Sequence, residues 1–111
     1  MMDSYIEKVV AFHSKYEKPI SNTPVIPQDK DIDKQIRLMH TALAELCFAM
    51  KEDKMVHIAR GLVCLLYYTF STAIMYGIPI PAMFGEWHLS LMNGHPPREE
   101  KEILKRHGWG R

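Results

Sequence analysis

Apolar residues recur along most of this chain at the three- and four-residue steps of an α-helix. The clearest run extends from about Asp31 to about Glu52, with charged residues confined to its start and end. Its apolar stripe consists of Ile32, Ile36, Met39, Leu43, Leu46 and Met50. Such a stripe predicts an amphipathic helix, and we expect it to lie at the heart of the fold.

The next run, residues 58–78, is apolar on nearly every face and predicts a central buried helix, which runs from about Lys54 to Tyr76. It ends at Gly77, a residue type suited to a left-handed helix terminus, and Pro79 prevents its continuation. Residues 61–84 contain no charged side chain, so a membrane span is the alternative interpretation. The early stop and the lack of basic residues just beyond it favour burial in a helical bundle without a membrane.

Two shorter helices complete the predicted fold. The first begins at Asp3 or Ser4 and ends near Tyr16, and the last runs from about Pro81 towards Asn93. No strand alternation is visible, so the prediction is an all-α bundle of four helices in a single domain, residues 1–111, with a charged tail from residue 95.

The connections between these helices differ in kind. Residues 18–30 hold three prolines, which predicts an extended, ordered connector. Residues 51–54 form a short polar turn, which forces the second and third helices to lie antiparallel. Because the third helix is apolar all round and its neighbours are short, we also expect a homo-oligomer, either a dimer or a tetramer.

The composition and the N-terminal sequence indicate which partners and which cellular location to expect. Fourteen basic and thirteen acidic residues give a net charge of +1, which argues against general nucleic-acid binding. The N-terminal residues lack the basic and apolar segments of an export signal, so a cytoplasmic protein is expected. Cys47 and Cys64 fall among apolar neighbours and are predicted to be buried, reduced thiols, with a disulfide as the alternative.

Several short motifs occur in a fixed order over about 100 residues. They are VAFH at 10–13 before the proline connector, RLM at 37–39 with EL at 45–46, IA at 58–59 with LLY at 65–67, TA at 72–73, GIP at 77–79, F-x-E-x-H-x-S-x-M at 84–92, and ILK at 103–105 with Trp109. In this order the chain resembles the all-α nucleoside triphosphate pyrophosphohydrolases, the MazG and phosphoribosyl-ATP pyrophosphohydrolase-like superfamily. The resemblance implies a MazG-like helical bundle.

The resemblance also implies a metal site that this chain has largely lost. Relatives hold magnesium through E-E-x-x-E on one helix and E-x-x-D on the next, because several carboxylates are needed to hold hard cations against a polyphosphate. Here those positions are Thr41, Ala42, Glu45, Gly61 and Cys64. Only Glu45 keeps a carboxylate, and Arg60 adds a positive charge beside them. No metal or other cofactor is therefore expected, with Glu45 a weak candidate ligand.

Other residues remain candidates for binding. The resemblance suggests that a nucleotide or its phosphates would contact Arg37, Arg60, Glu86, His88, Ser90 and Lys105. A metal cluster of a different kind is conceivable from His40, Glu45, His57 and Cys64.

The leading functional hypothesis is a catalytically degenerate pyrophosphohydrolase relative that binds a nucleotide or a protein partner. Small stand-alone versions of the family are frequent in phages, so the resemblance implies a phage-encoded protein directed at a host protein in the host cytoplasm. One alternative is an active magnesium-dependent pyrophosphohydrolase with a reduced acidic site. The other is a structural assembly subunit.

Overall fold

The computed structural model describes residues 2–94, which form four α-helices and contain no strand. The helices are α1 (Met2–Lys15), α2 (Asp29–Lys51), α3 (Met55–Tyr76) and α4 (Ile80–Met92). The all-α prediction is confirmed, and each helix begins and ends within one or two residues of its predicted limits. The charged tail, with the candidate Lys105, lies outside the described residues.

α2 and α3 form an antiparallel pair, as the short turn predicts. The buried residues of α2 are Gln35, Ala42, Leu46 and Ala49. At Gly61 of α3 an added Cβ would lie 3.0 Å from both Cβ and Cδ1 of Leu46, so the two helices approach closely at this point. Further along, the Gln35 amide donates to the Tyr68 carbonyl and to Thr72 Oγ1, at 3.2 and 3.0 Å.

The side of α2 that contacts α3 is not centred on the predicted apolar stripe. Of that stripe, Leu46 is buried, Ile32 and Met39 are half-buried, and Ile36, Leu43 and Met50 are exposed. The two helices meet instead through small residues, among them Ala42, Ala49 and Gly61. Such residues allow a closer backbone approach than large side chains would. The larger apolar side chains are left on the flank of α2.

α1 packs against the C-terminal half of α3. The centre of this contact is a buried cluster of Val9, Phe70 and Ile74. The partly buried hydrophobic residues around it are Met2, Ile6, Val10, Tyr67 and Ile80. These side chains form the main apolar core.

The proline-rich connector is non-helical over residues 18–28 and is bound to the end of α3. The Ser21 amide donates to the Ile74 carbonyl at 2.9 Å, and the Val25 amide donates to the Tyr76 carbonyl at 3.0 Å. Gly77 ends α3 with φ +70°, and the Thr23 carbonyl occupies the space that a Cβ at this position would need. Glycine is thus required here both for its backbone conformation and for space.

The prediction that α3 is buried along its length is wrong for its first half. Its buried residues all lie between Phe70 and Met75, while Val56, Leu62, Val63 and Leu66 are exposed. The physical reason is that α1 is too short to cover the first half of α3. α4 has no buried residue, and its Trp87 is 45% exposed.

Among residues 2–94, α3 is the one helix long and apolar enough to cross a membrane. Only 28% of its most apolar 18-residue window is buried. Length and composition are weak evidence for a span, because the core helix of a soluble bundle meets the same criteria.

Candidate functional site

A cavity of about 450 Å³ opens between α2 and α3 near the turn that joins them. α2 contributes mainly apolar walls, and the first turns of α3 contribute polar and cationic side chains. The lining residues are Ala42, Ala44, Glu45, Phe48, Ala49, Lys54, His57, Arg60, Gly61 and Cys64. We call this space the interhelical cavity.

The interhelical cavity brings together five of the eleven positions that the family resemblance singled out. Four of the five degenerate metal-site positions line it: Ala42, Glu45, Gly61 and Cys64, with Arg60 beside them. Thr41 is exposed and does not line it.

The charges of the cavity favour anions over metal cations. Glu45 is the one carboxylate in its lining, whereas Lys54 and Arg60 each contribute a positive charge. A magnesium ion needs oxygen ligands with negative charge, so these side chains do not fit the metal that the resemblance implies for relatives. Within residues 2–94, no group of three or more His, Cys, Asp and Glu residues is placed to hold a metal ion.

Packing at Gly61 gives a second reason for the misfit. Because an added Cβ would already press on Leu46, a carboxylate side chain at this position would require α2 and α3 to move apart. The close contact of the two helices at this point therefore depends on a residue without a side chain.

The remaining candidate residues lie elsewhere on the molecule. Arg37 is exposed on α2 and does not line the interhelical cavity. On α4, Glu86 and Ser90 are half-buried and His88 is exposed, and none of the three reaches the cavity.

The prediction of buried cysteines is wrong. Cys47 and Cys64 are both free and exposed. Cys64 lies at the wall of the open cavity, whereas Cys47 does not line it. Apolar neighbours in the sequence did not indicate burial, because both helices leave long apolar stretches uncovered.

A buried histidine–serine pair was not identified from the sequence. His13 is 1% exposed, and its Nδ1 lies 2.8 Å from the Pro19 carbonyl oxygen, so Nδ1 must donate. Nε2 of the neutral ring then accepts a hydrogen bond from Ser71 Oγ at 2.6 Å. The pair joins α1, the connector and α3. Its one signal in the sequence is a histidine within the apolar stripe of α1.

Burial lowers the pKa of His13 below its ordinary value of 6.5. The hydrogen bond to Pro19 acts in the opposite direction, and the positive charge of Lys18 lowers the pKa further. The lowered pKa favours the neutral ring, which is the form that accepts the hydrogen bond from Ser71.

Comparison with known proteins does not identify a family for this chain. No protein-family profile matches the chain, and no curated protein sequence matches it.

Proposed function

We propose that this chain is a MazG-like helical protein that binds a nucleoside triphosphate in the interhelical cavity without hydrolysing it. The observation that carries the proposal is the charge of the cavity, in which Lys54 and Arg60 accompany a single carboxylate, Glu45. The order of sequence motifs supports the family, and the volume of the cavity lies within the range of about 300–1,000 Å³ typical of small-molecule sites.

The beginning of α3 adds to the attraction for phosphate. No side chain caps the N-terminus of this helix, so its first backbone amides are not used by an N-cap residue. The helix dipole places a partial positive charge at the same end, close to Lys54 and His57. The apolar walls formed by Ala42, Phe48 and Ala49 can contact the base or sugar of the same ligand.

The direct test measures the melting temperature of the protein with nucleoside triphosphates and without metal. We expect millimolar triphosphate to raise the melting temperature and the corresponding nucleoside to raise it far less. A ligand at 100 times its dissociation constant stabilises the folded state by about 2.7 kcal/mol. Arg60→Gln should remove most of this shift. Arg37→Gln is the matched control, because Arg37 lies outside the cavity, and it should keep the shift.

Glu45 separates this proposal from an active enzyme. If the cavity binds the anion directly, Glu45→Gln removes a repulsive charge and strengthens triphosphate binding. An enzyme that holds magnesium through Glu45 would release pyrophosphate with magnesium present and would lose that activity in Glu45→Gln. Pyrophosphate release would contradict the proposal. The absence of any nucleotide-dependent shift would also contradict it, and would favour a protein partner.

A further inference from the structure

One side of α1 carries aromatic rings and lysines in alternation. The six residues, which we call the aromatic–lysine strip, are Tyr5, Lys8, Phe12, Lys15, Tyr16 and Lys18. From Tyr5 to Tyr16 they recur at three- and four-residue steps, which is the spacing of side chains on one side of a helix. The Tyr16 amide donates to the Phe12 carbonyl at 3.1 Å, so this spacing continues just past the end of α1.

Each of the three rings has a lysine ammonium group over it, between 5.4 and 5.8 Å from the ring centre. The pairs are Lys8 with Tyr5, Lys18 with Phe12, and Lys15 with Tyr16. These distances are within the range of about 6 Å for a cation–π contact. The strip therefore offers an aromatic surface and a positive charge side by side at three successive places.

The rings of the strip are accessible to a ligand. Tyr5 is 46% exposed, Tyr16 is 56% exposed and Phe12 is 37% exposed. Phe12 is also held in position, because its ring contacts Tyr16 at 4.9 Å and contacts Tyr67 of α3 edge-on at 5.6 Å, both measured between ring centres. The central ring thus fixes the strip to α3, and the two outer tyrosines keep about half of their surface free.

The acidic residues of α1 lie on a different side of the helix. There are two of them, Asp3 and Glu7, which are four residues apart and therefore neighbours. At about 100° per residue they lie roughly 150° around the helix from the strip. Among residues 2–18, Glu17 is the one further carboxylate, and it follows the end of the helix. The strip thus has a local excess of positive charge that the net charge of +1 for the whole chain does not reveal.

We propose that the aromatic–lysine strip binds single-stranded nucleic acid, with bases stacked on Tyr5 and Tyr16 and phosphates in contact with the lysines. Aromatic rings that stack bases, combined with positive charges that follow the backbone, are the features of single-strand sites without sequence preference. An acidic peptide would pair with the lysines but would offer the rings no row of planar groups. None of the strip residues lines the interhelical cavity, so the two sites are separate.

The test measures the fluorescence anisotropy of a short labelled oligothymidine strand at low salt. Tyr5→Ala and Tyr16→Ala should each weaken binding at least about fivefold, which is the lower end of the effect of removing one stacking ring. Tyr16→Phe keeps the ring and should keep the affinity. Phe84→Ala removes an exposed aromatic ring of α4 and is the matched control, which should also keep the affinity. An oligouridine strand should respond in the same way, because the strip contacts base faces and phosphates.

Lys8→Gln and Lys15→Gln test the contribution of charge. For single strands, the logarithm of the affinity falls with the logarithm of the salt concentration by about 0.7 per phosphate contact. Three lysines therefore predict that a fourfold rise in salt weakens binding about 20-fold, and each variant should reduce the slope by about 0.7. Lys51→Gln changes an exposed lysine at the end of α2 and should leave the slope unchanged.

A duplex of the same sequence should bind more weakly than the single strand, because its bases are already stacked on one another. Equal or tighter binding of the duplex would overturn the proposal, since charge alone would then explain the binding. Unchanged affinity in both tyrosine-to-alanine variants, or no binding of the single strand at low salt, would overturn it too. Binding to anionic phospholipid vesicles in place of the strand would identify a lipid surface as the partner. All substituted side chains are exposed, so the variants should fold, which circular dichroism checks.

The strand and the triphosphate proposals can fail independently. Arg60→Gln changes the interhelical cavity and should leave strand binding unchanged. Tyr16→Ala changes the strip and should keep any triphosphate-dependent rise in melting temperature.

Discussion

Val63 and Phe70 lie seven residues apart on the same side of α3, yet their surroundings differ completely. Val63 is 64% exposed, whereas Phe70 is 5% exposed and belongs to the core cluster with Val9 and Ile74. Composition does not explain the difference, because both halves of α3 are rich in large apolar residues. The difference arises from α1, which has only 14 residues and covers only the second half.

The comparison shows that a uniformly apolar helix can have two separate roles. Its C-terminal half holds the main core, where it contacts α1 and the connector. Its N-terminal half forms a wall of the interhelical cavity. Burial therefore follows from the length of the neighbouring elements, which the apolar pattern of α3 itself does not reveal.

The largest expected effect is the difference in stability between truncation of Phe70 and truncation of Val63. Phe70→Ala should lower the free energy of unfolding by about 3–5 kcal/mol, because it leaves a cavity in the core. Val63→Ala removes an exposed side chain and should change stability by less than about 0.5 kcal/mol. Urea unfolding of both variants at one protein concentration measures the difference. Equal losses of stability in the two variants would show that the N-terminal half of α3 is also covered on the side of Val63.

A smaller effect is expected where the exposed half of α3 makes its close contact with α2. Gly61→Ala should destabilise the protein by about 1–3 kcal/mol, because the new methyl group presses on Leu46. Gly85→Ala in α4 is the control, since a Cβ there meets nothing within 4 Å. Alanine is the better helix former, so this control should gain about 0.5–1 kcal/mol. Urea unfolding measures both changes, and a stabilising Gly61→Ala would contradict the close helix contact.

The smallest expected effect is a pH dependence of the free energy of unfolding. It arises at His13 of α1, which is hydrogen-bonded to Ser71 in the covered half of α3. The folded-state pKa of His13 is lowered, so the unfolded chain takes up a proton first as the pH falls below the unfolded pKa of about 6.5. The stabilisation associated with neutral His13 is fully present above that pH. It is lost as the pH falls towards the folded-state pKa, by at most about 1.4 kcal/mol per pH unit.

Denaturant unfolding between about pH 5 and pH 7.5 tests this dependence, since the interval spans the unfolded pKa of histidine. His13→Gln should remove part of the acid-dependent loss, even though it lowers stability at neutral pH. His57→Gln changes an exposed histidine outside the His13–Ser71 pair and should keep the part of the dependence that His13 causes. An unchanged pH profile in His13→Gln would show that the His13 ring does not control the acid response.

The helices were predictable from the sequence because their signals are local. Periodicity identified their interiors, and Gly77 and the prolines marked where they stop. Which side of each helix is buried was harder to predict, since α2 contacts α3 through alanines and a glycine and leaves Leu43 exposed. The candidate cavity was anticipated only as a set of motif positions. The His13–Ser71 bond joins residues 58 positions apart, and no local pattern indicates such a pairing.

The attachment of α1 to the far end of α3 has a consequence for how the chain folds during synthesis. α2 and α3 are joined by a short turn and can pair as soon as both have been made. α1 is synthesised before α2 and α3, and its partners Phe70, Ser71 and Ile74 follow more than 50 residues later. α1 must therefore wait, with Val9 and His13 uncovered, until α3 has been translated.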